Sequence, residues 1–244
     1  RTSLLNDSSD EITLEMISSF SLGMLTPFEK GLSQENLRVH RLRSRWSSEA
    51  HLESCLAEDL LLVPSWLPHE MYTERFGHVG SKPTNHFVPF AAVEDIRQGV
   101  FWGAQLSCAS SWQMEFGRRD NGLSLSGGLA DYDFGQWLKN LAPGERFVSP
   151  SAFITVCSGD IDDLACRLTS IQEKPLADLP ASEQSLPVMF NEWCTSRGNP
   201  NQANMEKLTR KLGGLPVRYL IMDAGWYKDA PHEWHEMTGD WQPS

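Results

Sequence analysis

Short runs of alternating or aromatic residues, separated by turn residues, recur through residues 1–160. Residues 12–17 and 37–46 alternate between apolar and polar side chains, and residues 100–116 are rich in aromatic and small apolar ones. Alternation with a period of two is typical of strands that bury one face. Many short strands of this kind predict an N-terminal antiparallel β-sandwich.

Two turn signals support this prediction. Asn121-Gly122 lies between two apolar runs and predicts a hairpin, because Asn and Gly accept positive φ at both central turn positions. The sequence Ala-Pro-Gly-Glu at residues 142–145 predicts a second turn. Trp102 and Trp112 fall within strand patterns, and we expect both in the core.

The pattern changes after residue 160. Ile161, Leu164, Ala165 and Leu168 are three or four residues apart, which predicts a helix. Residues 171–186 are rich in Pro, small and charged residues and predict a linker. The chain is therefore predicted to contain a β-sandwich domain at residues 1–170 and a linker at 171–186. Residues 187–244 are predicted to be the start of a further domain.

A strand, a helix and a second strand follow the linker. Residues 187–191 form a short apolar run, and residues 217–222 form another that ends at Asp223. Between them, Asn199-Pro200 predicts a helix start with Pro at the first helical position, and Gly213-Gly214 predicts its end. This order predicts a βαβ unit with two parallel strands, so residues 191–193 and 223–226 should lie at the same edge.

That edge combines carboxylates with indole rings, namely Glu192 and Trp193 after one strand and Asp223 and Trp226 after the next. Carboxylates accept hydrogen bonds from sugar hydroxyls, and indole stacks on the C–H faces of a pyranose. Either residue type also has a purely structural use, since Trp packs in cores and Asp caps helices. Composition and spacing alone favour the structural interpretation.

Several longer motifs occur in both predicted domains. The first domain contains FWGAQ (101–105), SWQME (111–115), LSGGLAD (125–131) and APGE (142–145). The second contains PVMFNEWCTSRGNP (187–200), YLIMDAGWY (219–227) and GDW (239–241). In this order they resemble the N-terminal sandwich and the opening of the catalytic barrel of glycoside hydrolase family 36, the α-galactosidases of the melibiase type. The fold implied is mixed: a β-sandwich, followed by the first βαβ unit of an incomplete (β/α)8 TIM barrel.

The resemblance implies a retaining α-galactosidase, in which two carboxyl groups about 5–5.5 Å apart share the chemistry. In the family both are aspartates on later barrel strands, so we expect no catalytic residue before Ser244. It further implies that Asp223 binds galactose hydroxyls and that Trp193 lines the same pocket. Trp226, Asp240 and Trp241 are the remaining candidate substrate-binding residues.

Two positions depart from the family pattern. Ala224 stands where a second Asp is usual, and Arg197 stands where Trp is common. The identity of the bound sugar therefore does not follow from the resemblance. The resemblance implies no metal and no cofactor, and His232 and His235 are expected to be ordinary loop residues. Cys194 has no His-Asp partner pattern, so we expect a buried structural thiol.

Charge and cysteine content restrict the partners. The net charge is −11, from 21 Lys and Arg against 32 Asp and Glu, so nucleic acid and anionic membranes are poor partners. The one basic cluster is expected to be a solvated strand face: Arg38, His40, Arg41, Arg43 and Arg45. Five cysteines without ligand spacing favour a reducing, cytoplasmic location. No apolar run is long enough for a membrane helix, and no signal peptide is visible.

Three functional hypotheses remain open. The chain is the N-terminal part of an enzyme that acts on α-galactoside oligosaccharides, and is inactive alone. Alternatively it is a stand-alone carbohydrate-binding or assembly module, with possible homo-oligomers formed through the sandwich. Or it is a complete enzyme that uses Glu192 and Asp223 as its pair, although residues 187–244 are too few for a barrel of at least ~200 residues.

Overall fold

The computed structural model describes residues 1–25, 27–28, 31, 33–64, 70–173, 177–239 and 241–244. The chain divides into two compact units, Arg1–Ile171 and Gln172–Ser244. Each unit has its own β-sheets.

Unit 1 is built on two larger antiparallel sheets, as the alternating pattern predicts. The first has five strands in the order β13-β8-β7-β4-β5 and the second has four in the order β3-β10-β9-β6. Two short antiparallel pairs, β1 with β12 and β2 with β11, complete the unit. The strands are β1 Ser3–Leu5, β2 Ile12–Leu14, β3 Ser18–Leu25, β4 Leu37–Arg45, β5 Ser48–Leu56, β6 Tyr72–His78, β7 His86–Asp95, β8 Val100–Ser107, β9 Trp112–Arg119, β10 Gly122–Leu129, β11 Lys139–Leu141, β12 Arg146–Val148 and β13 Ser151–Ser158.

One hydrophobic cluster takes side chains from both sheets. Trp112, Met114 and Phe116 alternate along β9 and are fully buried in it. The Trp112 ring meets Phe76 edge-on at 6.0 Å between centroids, a favourable aromatic geometry. Trp102 is half-buried and packs against the same cluster. The prediction of a core position is therefore confirmed for Trp112, while Trp102 is only partly buried.

The predicted helix at residue 160 is also confirmed. Helix α1 spans Ile161–Thr169, and the Asp160 carboxylate caps it by accepting hydrogen bonds from the N–H groups of Asp162 and Asp163 at 2.9 and 3.0 Å. Leu164 of α1 packs in a second cluster with residues of β7, β8 and β13. A Cβ on Gly103 would lie 2.6 Å from Leu164, so glycine allows α1 to approach the sheet closely.

The predicted turns exist, with one shift. The second turn is confirmed by a hydrogen bond from Glu145 N to Ala142 O at 2.9 Å. The hairpin between β9 and β10 is confirmed, but its two loop residues are Asp120 and Asn121, with Gly122 already paired to Arg119. Asp120 takes the positive φ, 51°. Both Asp and Asn tolerate this region, so the turn lies one residue earlier than predicted.

The prediction of a solvated basic strand is wrong for two residues of β4. His40 and Arg41 are buried, while Trp46 at the end of the run is 92% exposed. Arg41 forms ion pairs with Glu53, on the neighbouring strand β5, and with Glu74 at 2.8 Å. The guanidinium is buried because carboxylates distant in sequence neutralise it.

His40 makes the stability of unit 1 depend on pH. Its Nδ1 lies 2.8 Å from Ser54 Oγ and its Nε2 lies 3.1 Å from Glu94 Oε2, while Arg38 also contacts Glu94. Burial lowers the pKa of His40 below its ordinary value of 6.5, despite the opposing effect of Glu94. In the interval between the lowered pKa and 6.5, the unfolded chain binds more protons than the folded one, so acid favours unfolding.

We therefore expect the free energy of unfolding to fall as pH drops below about 6.5, and His40→Gln to reduce that dependence. Chemical denaturation at several pH values measures the slope. His51→Gln is the matched control, because it removes an exposed imidazole from the same sheet. An unchanged slope in the His40 variant would contradict the assignment.

Unit 2 contains the predicted strand-helix-strand unit. Strand β14 (Val188–Asn191) and strand β15 (Val217–Ile221) are parallel, with Asn191 opposite Ile221. A short helix α2 (Trp193–Ser196) and helix α3 (Gln202–Leu212) connect them. Part of the predicted linker, residues 174–176, lies outside the described residues, and turns occupy residues 180–186.

Helix α3 begins two residues later than predicted. Asn201 is its N-cap, and the side-chain oxygen of Asn201 accepts a hydrogen bond from Asn204 N at 3.0 Å. Pro200 therefore precedes the cap instead of occupying the first helical turn. The predicted end is confirmed, since α3 stops at Leu212 and Gly214 adopts a φ of 88°.

Both strands of unit 2 expose large apolar side chains, including Met189, Tyr219 and Ile221. On helix α3, the apolar side chains of Met205, Leu208 and Leu212 are half-buried. Among the described helices, none is long and apolar enough to cross a membrane.

Candidate functional site

The carboxyl ends of β14 and β15 bring Asn191 and Asp223 together. Because the strands are parallel, their ends lie at one edge, and Asn191 Nδ2 donates a hydrogen bond to Asp223 Oδ2 at 2.7 Å. The Ala224 N–H donates to Asp223 Oδ1, also at 2.7 Å. These donors, Asn191 first, hold the pKa of the Asp223 carboxyl below its ordinary value. Asp223 is thus a carboxylate, partly exposed, with lone pairs left for a ligand.

Glu192 lies beside Asp223 but faces inward. Its side chain is fully buried, and Oε1 accepts a hydrogen bond from the Asp223 N–H at 3.0 Å. Oε2 accepts a hydrogen bond from the Ser196 hydroxyl. A nucleophile or general acid must reach the substrate. The hypothesis that Glu192 and Asp223 form a catalytic pair therefore lacks support, because the Glu192 carboxylate is not accessible.

Trp193 opens helix α2 at the same edge. Its N–H donates to Asn191 Oδ1 at 2.9 Å, and its half-buried ring meets Trp234 edge-on at 5.3 Å between centroids. The next residue, Cys194, is exposed, so the prediction of a buried thiol is wrong. The short helix turns Trp193 toward Trp234 and leaves the following side chain outside.

A second aromatic group follows β15. Trp226 and Trp241 are stacked at 6.3 Å with 30° between their ring planes, and Tyr227 meets both edge-on at 5.3 and 4.9 Å. Tyr227 is buried, whereas Trp241 is 55% exposed. The structure thus brings two of the predicted binding residues into contact. Asp240, also predicted, lies outside the described residues.

Two contacts at this edge were not predicted, namely the hydrogen bond of Asn191 with Asp223 and the packing of Trp234 on Trp193. Asn191 carried a usable signal, because a polar residue ends an otherwise apolar strand at the predicted edge. Trp234 carried none, since its contact depends on the conformation of the loop after β15. Within the described part of the chain, no group of three His, Cys, Asp or Glu side chains could hold a metal ion.

Two glycines let the loops after β14 and β15 approach each other. Gly225 has a φ of 104°, and a Cβ there would lie 2.2 Å from the carbonyl oxygen of Gly198. A Cβ on Gly198 would in turn lie 2.3 Å from the Trp234 ring. The backbone contact is possible only without side chains at these positions.

We expect Gly225→Ala to displace this edge and to destabilise unit 2 by more than the about 1–2 kcal/mol of left-handed backbone strain alone. Gly214→Ala is the matched control, because Gly214 also has positive φ, 88°, but no atom lies within 4 Å of its added Cβ. Hydrogen exchange of the β14 and β15 amides measures both losses. Equal losses in the two variants would show that the close contact contributes nothing.

The chain has sequence relatives among known proteins, although no family model matches it. It is 26% identical over 253 residues to a probable α-galactosidase G of Emericella nidulans, covering 99% of this chain and 31% of the relative. It is 24% identical over 245 residues to α-galactosidase C of the same fungus, covering 98% and 30%. The chain is similar to α-galactosidases over nearly its whole length. The resemblance inferred from the motifs is confirmed.

Solved α-galactosidases share the fold. A family 36 α-galactosidase variant from Geobacillus stearothermophilus, determined with stachyose, aligns with a TM-score of 0.76 at 16% identity. That alignment covers 99% of this chain and 31% of the other. The α-galactosidase from Lactobacillus brevis aligns with a TM-score of 0.72 at 19% identity, covering 93% and 28%. The chain therefore spans about 30% of the length of the curated α-galactosidases it matches.

Proposed function

We propose that this chain is the N-terminal part of a retaining α-galactosidase that releases terminal α-galactosyl residues from oligosaccharides. Unit 1 is then the N-terminal β-sandwich, and unit 2 the first βαβ unit of a (β/α)8 barrel. The similarity to α-galactosidases over 98–99% of the chain supports this assignment. The solved relatives determined with stachyose and with raffinose suggest galactosyl oligosaccharides of that class as substrates.

The observation that carries the proposal is the environment of Asp223. An accessible carboxylate, held ionised by Asn191 and the Ala224 N–H, follows a parallel strand at the edge where such folds bind ligands. Trp226 and Trp241 stack on each other in the segment that follows Asp223, and Trp193 begins the helix that follows β14. Charge-assisted hydrogen bonds and an aromatic surface are what a pyranose requires.

The catalytic pair is assigned to strands that follow this segment in a longer protein. In the part of the chain that the structure describes, Glu192 is the carboxylate in direct contact with Asp223, and it is inaccessible. Asp223 binds substrate in this proposal, and Trp193, Trp226 and Trp241 line the pocket. Asp240, which lies outside the described residues, stays a predicted substrate-binding residue. The chain alone is then inactive, because both reacting carboxyl groups are supplied elsewhere.

The alternative, a stand-alone carbohydrate-binding module, places the sugar on unit 1. Saturation-transfer NMR with galactose on residues 1–170 separates the two functions. The proposal predicts no transfer, since the carboxylate and tryptophan groups lie in unit 2. Transfer to galactose that saturates as its concentration rises would instead support the binding module.

A further inference from the structure

Glu192 is a buried carboxylate that neither the proposed chemistry nor substrate binding uses. It has no exposed surface, and among the described residues no Lys, Arg or His forms an ion pair with it. A buried charge without a cation is costly, and an apolar side chain of similar size would avoid that cost. The two hydrogen bonds that Glu192 accepts are therefore the feature to explain.

Those two hydrogen bonds tie helix α2 to the residue that follows β15. Glu192 directly follows β14 and is the N-cap residue of α2, Ser196 ends α2, and Asp223 is the second residue after β15. The carboxylate accepts from the Ser196 hydroxyl through one oxygen and from the Asp223 N–H through the other. It thereby fixes where the backbone of Asp223 lies relative to β14 and α2.

The position of the Asp223 backbone decides whether its side chain keeps its partners. The Asp223 carboxylate oxygens each accept one 2.7 Å hydrogen bond, from Asn191 and from the Ala224 N–H. Such short charge-assisted bonds depend strongly on position. Asn191 precedes Glu192 directly, so the two residues hold the carboxylate and the backbone N–H of Asp223 from a single strand end.

We propose that Glu192 is a positioning residue that holds Asp223 in its ligand-binding orientation through the Asp223 N–H and Ser196. This inference rests on the proposed function, because it concerns the same sugar-binding edge. Glu192 itself does not contact substrate. Glu192 affects the binding of a galactoside only through the position of Asp223.

Two neutral variants separate position from charge. Glu192→Gln keeps an oxygen that accepts from the Asp223 N–H and an amide that can pair with Ser196. Glu192→Leu has similar size and keeps neither contact. Both remove the charge of Glu192, so any difference between them reports the hydrogen bonds. If the Leu variant does not fold, Glu192→Met replaces it with an unbranched side chain of similar length.

The first measurement is the titration of the Asp223 side-chain carboxyl carbon by NMR in the 244-residue chain. We expect a higher midpoint in Glu192→Leu than in Glu192→Gln, moving toward the ordinary value of 3.8 as the Asn191 hydrogen bond is lost. Asn191→Ala removes that hydrogen bond directly, so it gives the change in the Asp223 midpoint that complete loss of the bond produces. Equal midpoints in the Leu and Gln variants would overturn the proposal.

The second measurement is KM for an α-galactoside, using the enzyme encoded by the complete reading frame. We expect Glu192→Leu to raise KM about tenfold, which is about 1.4 kcal/mol, and Glu192→Gln to stay within about twofold, because only the Leu variant misplaces a charge-assisted hydrogen bond. Equal KM values in the Leu and Gln variants would count against positioning. A wild-type enzyme without α-galactosidase activity would refute the proposed function, while the Asp223 titration would still decide the role of Glu192.

Discussion

Replacing Arg118 by alanine is expected to lower the free energy of unfolding of unit 1 by about 3–5 kcal/mol. Arg118 on β9 is fully buried, and its guanidinium donates hydrogen bonds to Glu58 at 2.8 Å and to the Leu62 carbonyl at 3.2 Å. It also donates to the Asp120 carbonyl and to Ser33 Oγ. The substitution leaves the Glu58 carboxylate, 16% exposed, without its cation.

This guanidinium joins segments that no strand pairing connects. The 3₁₀ turn at Ala57–Leu60 supplies Glu58, and the loop before β4 supplies Ser33. Removing the charge therefore loosens the connections around the β9–β10 hairpin as well as leaving unpaired polar groups. We expect the effect to be larger than that of a typical surface substitution, which changes stability by less than about 0.5 kcal/mol.

Native-state hydrogen exchange of the β9 and β10 amides measures this loss for unit 1 separately from unit 2. Arg146→Ala is the matched control, because Arg146 is exposed and makes one 3.4 Å hydrogen bond, to Ser3. A loss for Arg118→Ala no larger than that of the control would show that the buried network adds no stability.

Local patterns predicted several strands, among them β4, β9, β14 and β15. Along β9, Trp112, Met114 and Phe116 alternate with polar or small residues, and this alternation alone places them on the buried face. The parallel pairing of β14 with β15 followed from the helix between them, because a crossover connection gives two strands the same direction. Strands and helices that follow a repeating residue pattern can therefore be predicted from a single sequence.

Features that depend on distant residues were not predictable. Arg41 is buried because Glu53 and Glu74 pair with it, and nothing in the sequence around β4 reveals those partners. The start of α3 was misjudged for a different reason. Pro200 and Asn201 give competing start signals, and the hydrogen bond from Asn204 N to the Asn201 side chain decides between them.

The candidate site was likewise predicted only in part. That Asn191 and Asp223 would share an edge followed from the strand order. The 2.7 Å hydrogen bond between them, the inward orientation of Glu192 and the packing of Trp193 on Trp234 did not. These contacts arise in loops, where side-chain positions follow from backbone conformation and not from a repeating pattern.

Asp223→Asn is expected to reduce kcat/KM for an α-galactoside at least about 100-fold in the enzyme encoded by the complete reading frame. A neutral amide weakens each hydrogen bond that the carboxylate accepts from a sugar hydroxyl, and charge-assisted bonds contribute about 1.5–3 kcal/mol each. The amide group of the variant must also face the Asn191 Nδ2 and Ala224 N–H donors with only one acceptor oxygen.

Asp229→Asn is the matched control for this substitution. Asp229 is an exposed aspartate in the segment after β15, six residues beyond Asp223. We expect the kcat/KM of the Asp229→Asn variant to stay within about twofold of the value for the unchanged enzyme. Similar losses for the two variants would argue that Asp223 acts through general charge and not through bound substrate.

The central claim is tested most directly by assaying the product of the complete reading frame that contains this chain. We predict that this product hydrolyses an aryl α-galactoside and that the 244-residue chain alone does not. A reading frame that stops at Ser244, or a longer product without α-galactosidase activity, would contradict the proposed function.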